Sequence, residues 1–296
     1  ERAGHHAVHH GHHGAHKAHA HAFQHHGKGM HGDRHAQLRR AGLAKGDPVA
    51  LPLTMATMFH LPGEPAGYPQ YGRFSNPTWE AVEEMLSHLE GAPALGFPSG
   101  MAAIAAVFYG LLKSGDRVLL PSDGYYTTRV LAERFLTRMG VSFDTRPTAR
   151  FLDGGFEGFR LVFVETPANP GLDLCDLAEA SRLAKEAGAV LVVDNTSMPP
   201  LGQDPLSLGA DIVVAADTKA PNGHSDALFG HVSTRDEALF QAMREWRKLS
   251  GSIPGPFEAW QVHRGLETLE LRFERMCDTA GTIAPRLADH KAVGSV

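Results

Sequence analysis

Between residues 94 and 219, short apolar runs alternate with segments of helical length, and this alternation leaves few folds open. Runs ending at Phe97, Leu120, Thr145, Glu165 and Asp194, and a further run into Lys219, each have the length and β-type composition of a buried strand. Between them, residues 99–112, 128–139 and 174–187 read as helices. Residues 79–89 form an amphipathic helix before the first strand, with Val82, Met85, Leu86 and Leu89 on one face, Glu80 and Glu83 near its start, and Thr78 as its cap. Strands buried on both faces and joined by helices predict an α/β fold with a mainly parallel sheet sandwiched between helical layers. Residues 257–276 predict one long helical region after a variable arm that runs through Trp246.

The segment Val213 to Asp226 carries the chemistry. Its apolar run delivers Lys219 into a stretch rich in Pro, Asn, Gly and Ser, the pattern of a strand that presents a side chain at its end. Burial disfavours a charged ammonium, and a neutral lysine amine can form a Schiff base with an aldehyde. The aldehyde proteins most often hold this way is pyridoxal phosphate, whose ring nitrogen needs a carboxylate partner. Asp194, closing the preceding strand, is the candidate for that partner. Ser99-Gly100-Met101 opens an apolar helix, where free backbone N–H groups and the helix dipole suit a phosphate.

These two segments, together with Leu191-Val192-Val193-Asp194-Asn195-Thr196, Glu165-Thr166-Pro167-Ala168-Asn169-Pro170, Tyr71-Gly72-Arg73 and Asp123-Gly124-Tyr125-Tyr126, resemble the motifs of the Cys/Met-metabolism family of pyridoxal-phosphate enzymes. The resemblance runs from about Pro48 to Val296 and implies a fold type I large domain built on a seven-stranded-type sheet. It implies that Lys219 binds the cofactor and moves protons, that Asp194 holds the ring nitrogen, and that Tyr125 stacks on the ring and acts as acid or base. Ser99, Gly100, Met101 and Thr218 would hold the phosphate, and Asn169 the ring oxygen. Tyr71 and Arg73 would reach the phosphate of a partner subunit, implying a homo-oligomer of paired active sites, expected to be a tetramer. Ala216 and Ala220 depart from the family pattern, which usually has Ser and Tyr there, and Thr127 stands where methionine γ-lyases carry a cysteine.

The implied activity is γ-elimination of L-cystathionine to cysteine, 2-oxobutanoate and ammonia. Cystathionine γ-synthase, cystathionine β-lyase and methionine γ-lyase remain as alternatives within the family. A catalytically silent homologue, or a His-rich metal-binding protein, remains outside it.

By composition, 13 of the 19 histidines fall in residues 1–35, among Gly and Ala. Too little apolar surface is available there to offset the entropy of ordering, so residues 1–40 read as a disordered leader. Residues 41–78 read as an arm contacting a partner subunit, 79–260 as the cofactor-binding domain, and 261–296 as the start of a C-terminal domain. Family members carry most of that small domain, with the arginine that takes the substrate carboxylate, further along the chain, so this sequence reads as a fragment or as a truncated homologue. A net charge of −5 gives no general attraction to nucleic acid, and no apolar run approaches the roughly 18 residues of a membrane-spanning helix. Two cysteines, Cys175 and Cys277, are too few for a disulfide framework and suit a reducing cytoplasm. No metal ligand set is expected in the site.

Overall fold

The computed structural model describes residues 43–296, so the His-rich leader lies outside the described residues. Helix α1 (Pro77–Glu90) leads into β1 (Ala94–Phe97) and α2 (Gly100–Leu111). Next come β2 (Arg117–Pro121), α3 (Tyr126–Leu131) and β3 (Ser142–Arg146). They are followed by β4 (Leu161–Glu165), α4 (Leu177–Ala187), β5 (Val190–Asp194) and the short α5 (Pro199–Gly202). The chain continues with β6 (Ile212–Ala215), β7 (Gly230–Ser233), α6 (Glu237–Ser250), α7 (Pro256–Leu266) and α8 (Leu269–Ala288).

The strands form one seven-stranded sheet in the order β1-β7-β6-β5-β4-β2-β3. Strands β2 to β6 run parallel, whereas β7 pairs antiparallel with both β1 and β6. Side chains alternate between two cores, as the pleat requires. Val118, Leu120, Phe163, Val192 and Val214 pack with α2, α3 and α6 on one face. Leu119, Val162, Val164, Leu191 and Val193 pack with α4 on the other, where Trp79, Val82, Phe229 and Val262 extend the layer through α1 and α7.

Several boundaries differ from the sequence expectation. Helix α1 starts at Pro77, capped by the Asn76 side chain, which accepts from Thr78 N at 2.9 Å. Thr78 instead uses its hydroxyl on the arm, accepting from Thr54 N at 2.8 Å and donating to Pro52 O at 3.2 Å. The helix predicted over residues 128–139 begins at Tyr126 and passes after Leu131 into a π-helical turn (Ala132–Leu136) and a 3-10 turn (Thr137–Met139). The arm after Gly230 is an ordered strand and helix, β7 and α6. The single helix predicted over residues 257–276 is two helices, broken between Leu266 and Leu269. Helix α7 runs without interruption through residue 260. No helix among the described residues is long and apolar enough to cross a membrane.

Candidate active site

The parallel strands bring their carboxyl ends to one edge, and the chemistry-bearing side chains collect there. Asp194 closes β5 opposite Glu165, which closes β4. By the alternation that sends Val192 and Phe163 toward α2, both carboxyl groups turn to the α2 face. Asp194 is 6% exposed, and its Oδ1 accepts from Thr196 N at 3.0 Å and Thr196 Oγ1 at 2.6 Å. Its Oδ2 accepts no hydrogen bond among the described residues. Burial raises its pKa, opposed by the Thr196 bonds and the charge of His231.

Glu165 was not singled out from the sequence, yet it joins two of the predicted site loops. Its Oε2 accepts from Tyr125 N at 2.6 Å and its Oε1 from Asn169 N at 3.0 Å. Burial, reinforced by the neighbouring Asp194, pushes its pKa up to about 7. Arg129 fastens the same loop by donating to Gly124 O at 2.7 Å and Pro121 O at 3.1 Å. On this support Tyr125 presents its ring 39% exposed, and Asn169 is also exposed.

Helix α2 points its N-terminus at the same edge. Ser99 caps it, accepting Ala102 N on its hydroxyl at 3.1 Å and Ala103 N on its carbonyl at 3.1 Å. The N–H groups of Gly100 and Met101 are left without a partner among the described residues, as a helix start allows. The glycine is dictated by space: a Cβ on Gly100 would lie 2.6 Å from Ala216 Cβ, and one on Gly230 would lie 2.6 Å from Gly100 N. Ala216 N in turn donates to Thr196 Oγ1 at 2.9 Å, so the start of α2, the end of β6 and Asp194 are tied together.

Lys219 does not end β6 itself. The strand closes at Ala215, and Lys219 sits in the turn that follows, with its N–H donating to Ala216 O at 3.1 Å. In the single chain the Lys219 side chain is exposed, and it makes no hydrogen bond or ion pair among the described residues. Thr218, expected to offer its hydroxyl to a phosphate, spends it on the backbone of Phe229, donating to O at 3.2 Å and accepting from N at 3.1 Å. Arg272 holds the far side of the turn, donating to Ala220 O at 2.6 Å and Pro221 O at 3.2 Å.

Tyr71 and Arg73 belong to a different neighbourhood. Arg73 donates to Lys248 O at 2.7 Å and stacks against Phe74, 4.9 Å from its centroid, while Tyr71 bridges to Met58. The loop-edge residues Ser99, Gly100, Met101, Tyr125, Asn169, Asp194, Thr218 and Lys219 are thus assembled by one chain, and the arm residues are not joined to them. No group of three or more His, Cys, Asp or Glu side chains among the described residues could hold a metal ion.

The model of the Cys/Met metabolism PLP-dependent enzyme family matches residues 39–296. The chain belongs to this family. A Streptomyces coelicolor relative named "Putative cystathionine gamma-lyase" is 44% identical over 257 residues, covering 84% of this chain and 65% of its own. A cystathionine gamma-synthase of Mycobacterium tuberculosis is 39% identical, covering 77% of this chain and 60% of its own. The chain therefore spans less than two thirds of the length of these family members. The crystal structure of cystathione gamma lyase (CalE6) from Micromonospora echinospora superposes with a TM-score of 0.82 at 36% identity, covering 90% of this chain and 72% of that one. The family's cofactor is pyridoxal phosphate, and the donor set here suits it. Two free N–H groups at the start of the 12-residue α2 match a phosphate, the unbonded Oδ2 of Asp194 matches a protonated ring nitrogen, and the unengaged Lys219 amine matches an aldehyde.

Proposed function

We propose that this chain carries the cofactor site of a pyridoxal-phosphate lyase acting on sulfur amino acids, with γ-elimination of L-cystathionine as its reaction. The observation that carries the reading is the convergence of Lys219, Asp194 and the free N-terminus of α2 on one sheet edge. When bound, pyridoxal phosphate supplies an aldehyde for an amine and a conjugated ring that accepts the electrons released at the substrate Cα.

The chain's residues would divide the remaining work. Lys219 would hold the cofactor through Nζ and, once displaced by the substrate amine, take the proton from the substrate Cα, give it up to the cofactor's aldehyde carbon, and so be free to take the next from Cβ. Asp194 would keep the ring nitrogen protonated through Oδ2. The Gly100 and Met101 amides would anchor the phosphate, with Ser99 fixing the helix start that presents them. Tyr125 would lie against the ring and deliver a proton to the departing sulfur, while the Asn169 side chain would orient the ring oxygen. Tyr71 and Arg73 would complete the phosphate site of a second copy. Localisation to the cytoplasm and the domain division at residues 40, 78 and 260 belong to the same proposal.

The γ-synthase reaction named for the M. tuberculosis relative would call on the same groups, so products decide between them. The test pairs wild type with Lys219→Ala in the presence of pyridoxal phosphate, followed by cystathionine. A visible absorption band that requires Lys219, and release of 2-oxobutanoate with cysteine, is the expected result. A band indifferent to Lys219 would overturn the reading. Cystathionine formed from an activated homoserine and cysteine, without 2-oxobutanoate from cystathionine, would move the assignment to the synthase.

A further inference from the structure

Behind the Lys219 turn lies a buried cluster of titratable side chains that none of the roles above uses. His231, on β7, has Nδ1 2.9 Å from Asp217 Oδ2 and 3.0 Å from Oδ1, and Nε2 3.1 Å from Oε1 of Glu90 at the end of α1. Side-chain exposure is 0% for His231 and Asp217 and 1% for Glu90. Oε2 of Glu90 is buried without a hydrogen bond. A neutral imidazole has one N–H and can donate to one carboxylate only, whereas an imidazolium donates to both. Two carboxylates sealed from water would repel each other at considerable cost, and a cation between them removes that cost.

The position of the cluster relates it to the site. Asp217 is the first of three consecutive residues ending in Lys219, and its carbonyl accepts Asn222 N at 2.8 Å, closing the turn that carries the lysine. Ala216 and Ala220, on either side, have no polar side chain to fasten that turn, so Asp217 on the His231 ring and Thr218 on the Phe229 backbone are its side-chain anchors on the β7 side. Ala215 pairs with His231 and Val214 with Asp194, which places imidazole and Asp194 carboxylate at the same end of the sheet, on opposite faces across β6.

We propose that Glu90, His231 and Asp217 form a buried ion cluster whose imidazolium positions the Lys219 turn and sustains the negative charge of Asp194, so that retention of pyridoxal phosphate depends on it. The proposal rests on the cofactor reading of the site. The groups facing His231 are Asp217 from the turn after β6 and Glu90 from α1. Asp194 acts on it at longer range from β5, and Asp204 bears on Glu90. Burial alone would lower the His231 pKa, but the two carboxylates outweigh it and carry it up to about 10. The charge of His231 in turn opposes the upward effect of burial on Asp194.

Two measurements test this. In the cofactor-free wild type, ¹⁵N shifts should show both ring nitrogens of His231 protonated at pH 8, and a neutral ring overturns the proposal. In Glu90→Gln, which removes a carboxyl bonded to His231 and not to Lys219 and keeps an acceptor in place, pyridoxal phosphate should bind roughly tenfold more weakly. The pH midpoint of the visible band should move relative to wild type, while unfolding stays cooperative. A folded Glu90→Gln with unchanged affinity and midpoint overturns the proposal alone, whereas a wild type that takes up no cofactor overturns the site reading and the proposal with it. Should Glu90→Gln not fold, the ring-nitrogen shifts of the wild type decide.

Discussion

Glu165 sits where three demands meet: two backbone N–H groups favour its ionised form, while burial and Asp194 favour the neutral one. The folded-state pKa of about 7 lies above the ordinary 4.5, so the neutral form stabilises the fold. That contribution is fully present below about pH 4.5 and is lost as pH rises through 7. In Glu165→Gln the titration is absent. Relative to that variant, wild type should therefore lose up to about 3 kcal/mol of stability between pH 4.5 and pH 8, measured by urea unfolding at each pH. A constant difference across the range would show that Glu165 keeps an ordinary carboxyl. The variant should also loosen the Tyr125 or the Asn169 loop, since the amide keeps one accepting oxygen and its nitrogen cannot accept the second N–H. Neither Glu165 nor the Glu90–His231–Asp217 cluster was recognised from the sequence as part of the site. In the sequence Glu165 does no more than close an apolar strand, and His231 finds Glu90 across 141 residues of chain. The signal available was local and weak: an acid beside the candidate lysine, and a histidine within a short run of strand residues.

At the scale of elements, strands were legible wherever apolar runs had clear ends, and β1, β4 and β5 close at the expected Phe97, Glu165 and Asp194. Strand β7 was not, because its sequence interleaves His231 and Ser233, polar residues made tolerable only by distant partners such as Glu90 and Ala92 O. The break between α7 and α8 was equally hidden. Gly265 approaches the Lys219 turn so closely that a Cβ would lie 2.3 Å from Asn222 O, and Arg272 folds back to donate to Gly265 O at 2.7 Å. Close approach also governs the start of α2. A Cβ on Gly230 would meet the backbone of Ser99 and Gly100 at 2.6 Å, and backbone cannot swing aside as a flexible side chain can. Gly230→Ala should therefore cost about 1–3 kcal/mol and weaken pyridoxal phosphate binding, because β7 must push against the turn that presents the free N–H groups. The control is Gly281→Ala on α8, where a Cβ meets nothing within 4 Å. Helix propensity predicts that variant to be stabilised by up to about 1 kcal/mol with binding unchanged. Equal thermal shifts and equal affinities in the two variants would show that close packing at Gly230 has no bearing on the site.

At the scale of the whole molecule, one chain assembles Lys219, Asp194, Tyr125 and the start of α2, while Tyr71 and Arg73 stay on an arm held beside α6. That arm is fixed to its own chain by Trp260 Nε1 donating to Leu51 O at 2.9 Å and by Arg73 donating to Lys248 O. Its exposed Tyr71, Met55 and Met58 leave an aromatic and apolar surface beside a guanidinium. If the arm completes the site of a second copy, the two lesions Lys219→Ala and Arg73→Ala must complement each other. A pure Lys219→Ala assembly should show no cofactor band, and a pure Arg73→Ala assembly should hold pyridoxal phosphate weakly. When the two chains are unfolded together and refolded as an equal mixture, random pairing makes about half the pairs mixed, each with one site carrying both lesions and one intact. About a quarter of the sites should then bind as in wild type, visible as a tight phase in a cofactor titration. A mixture that titrates as the sum of its two parents would place Arg73 in the service of its own chain.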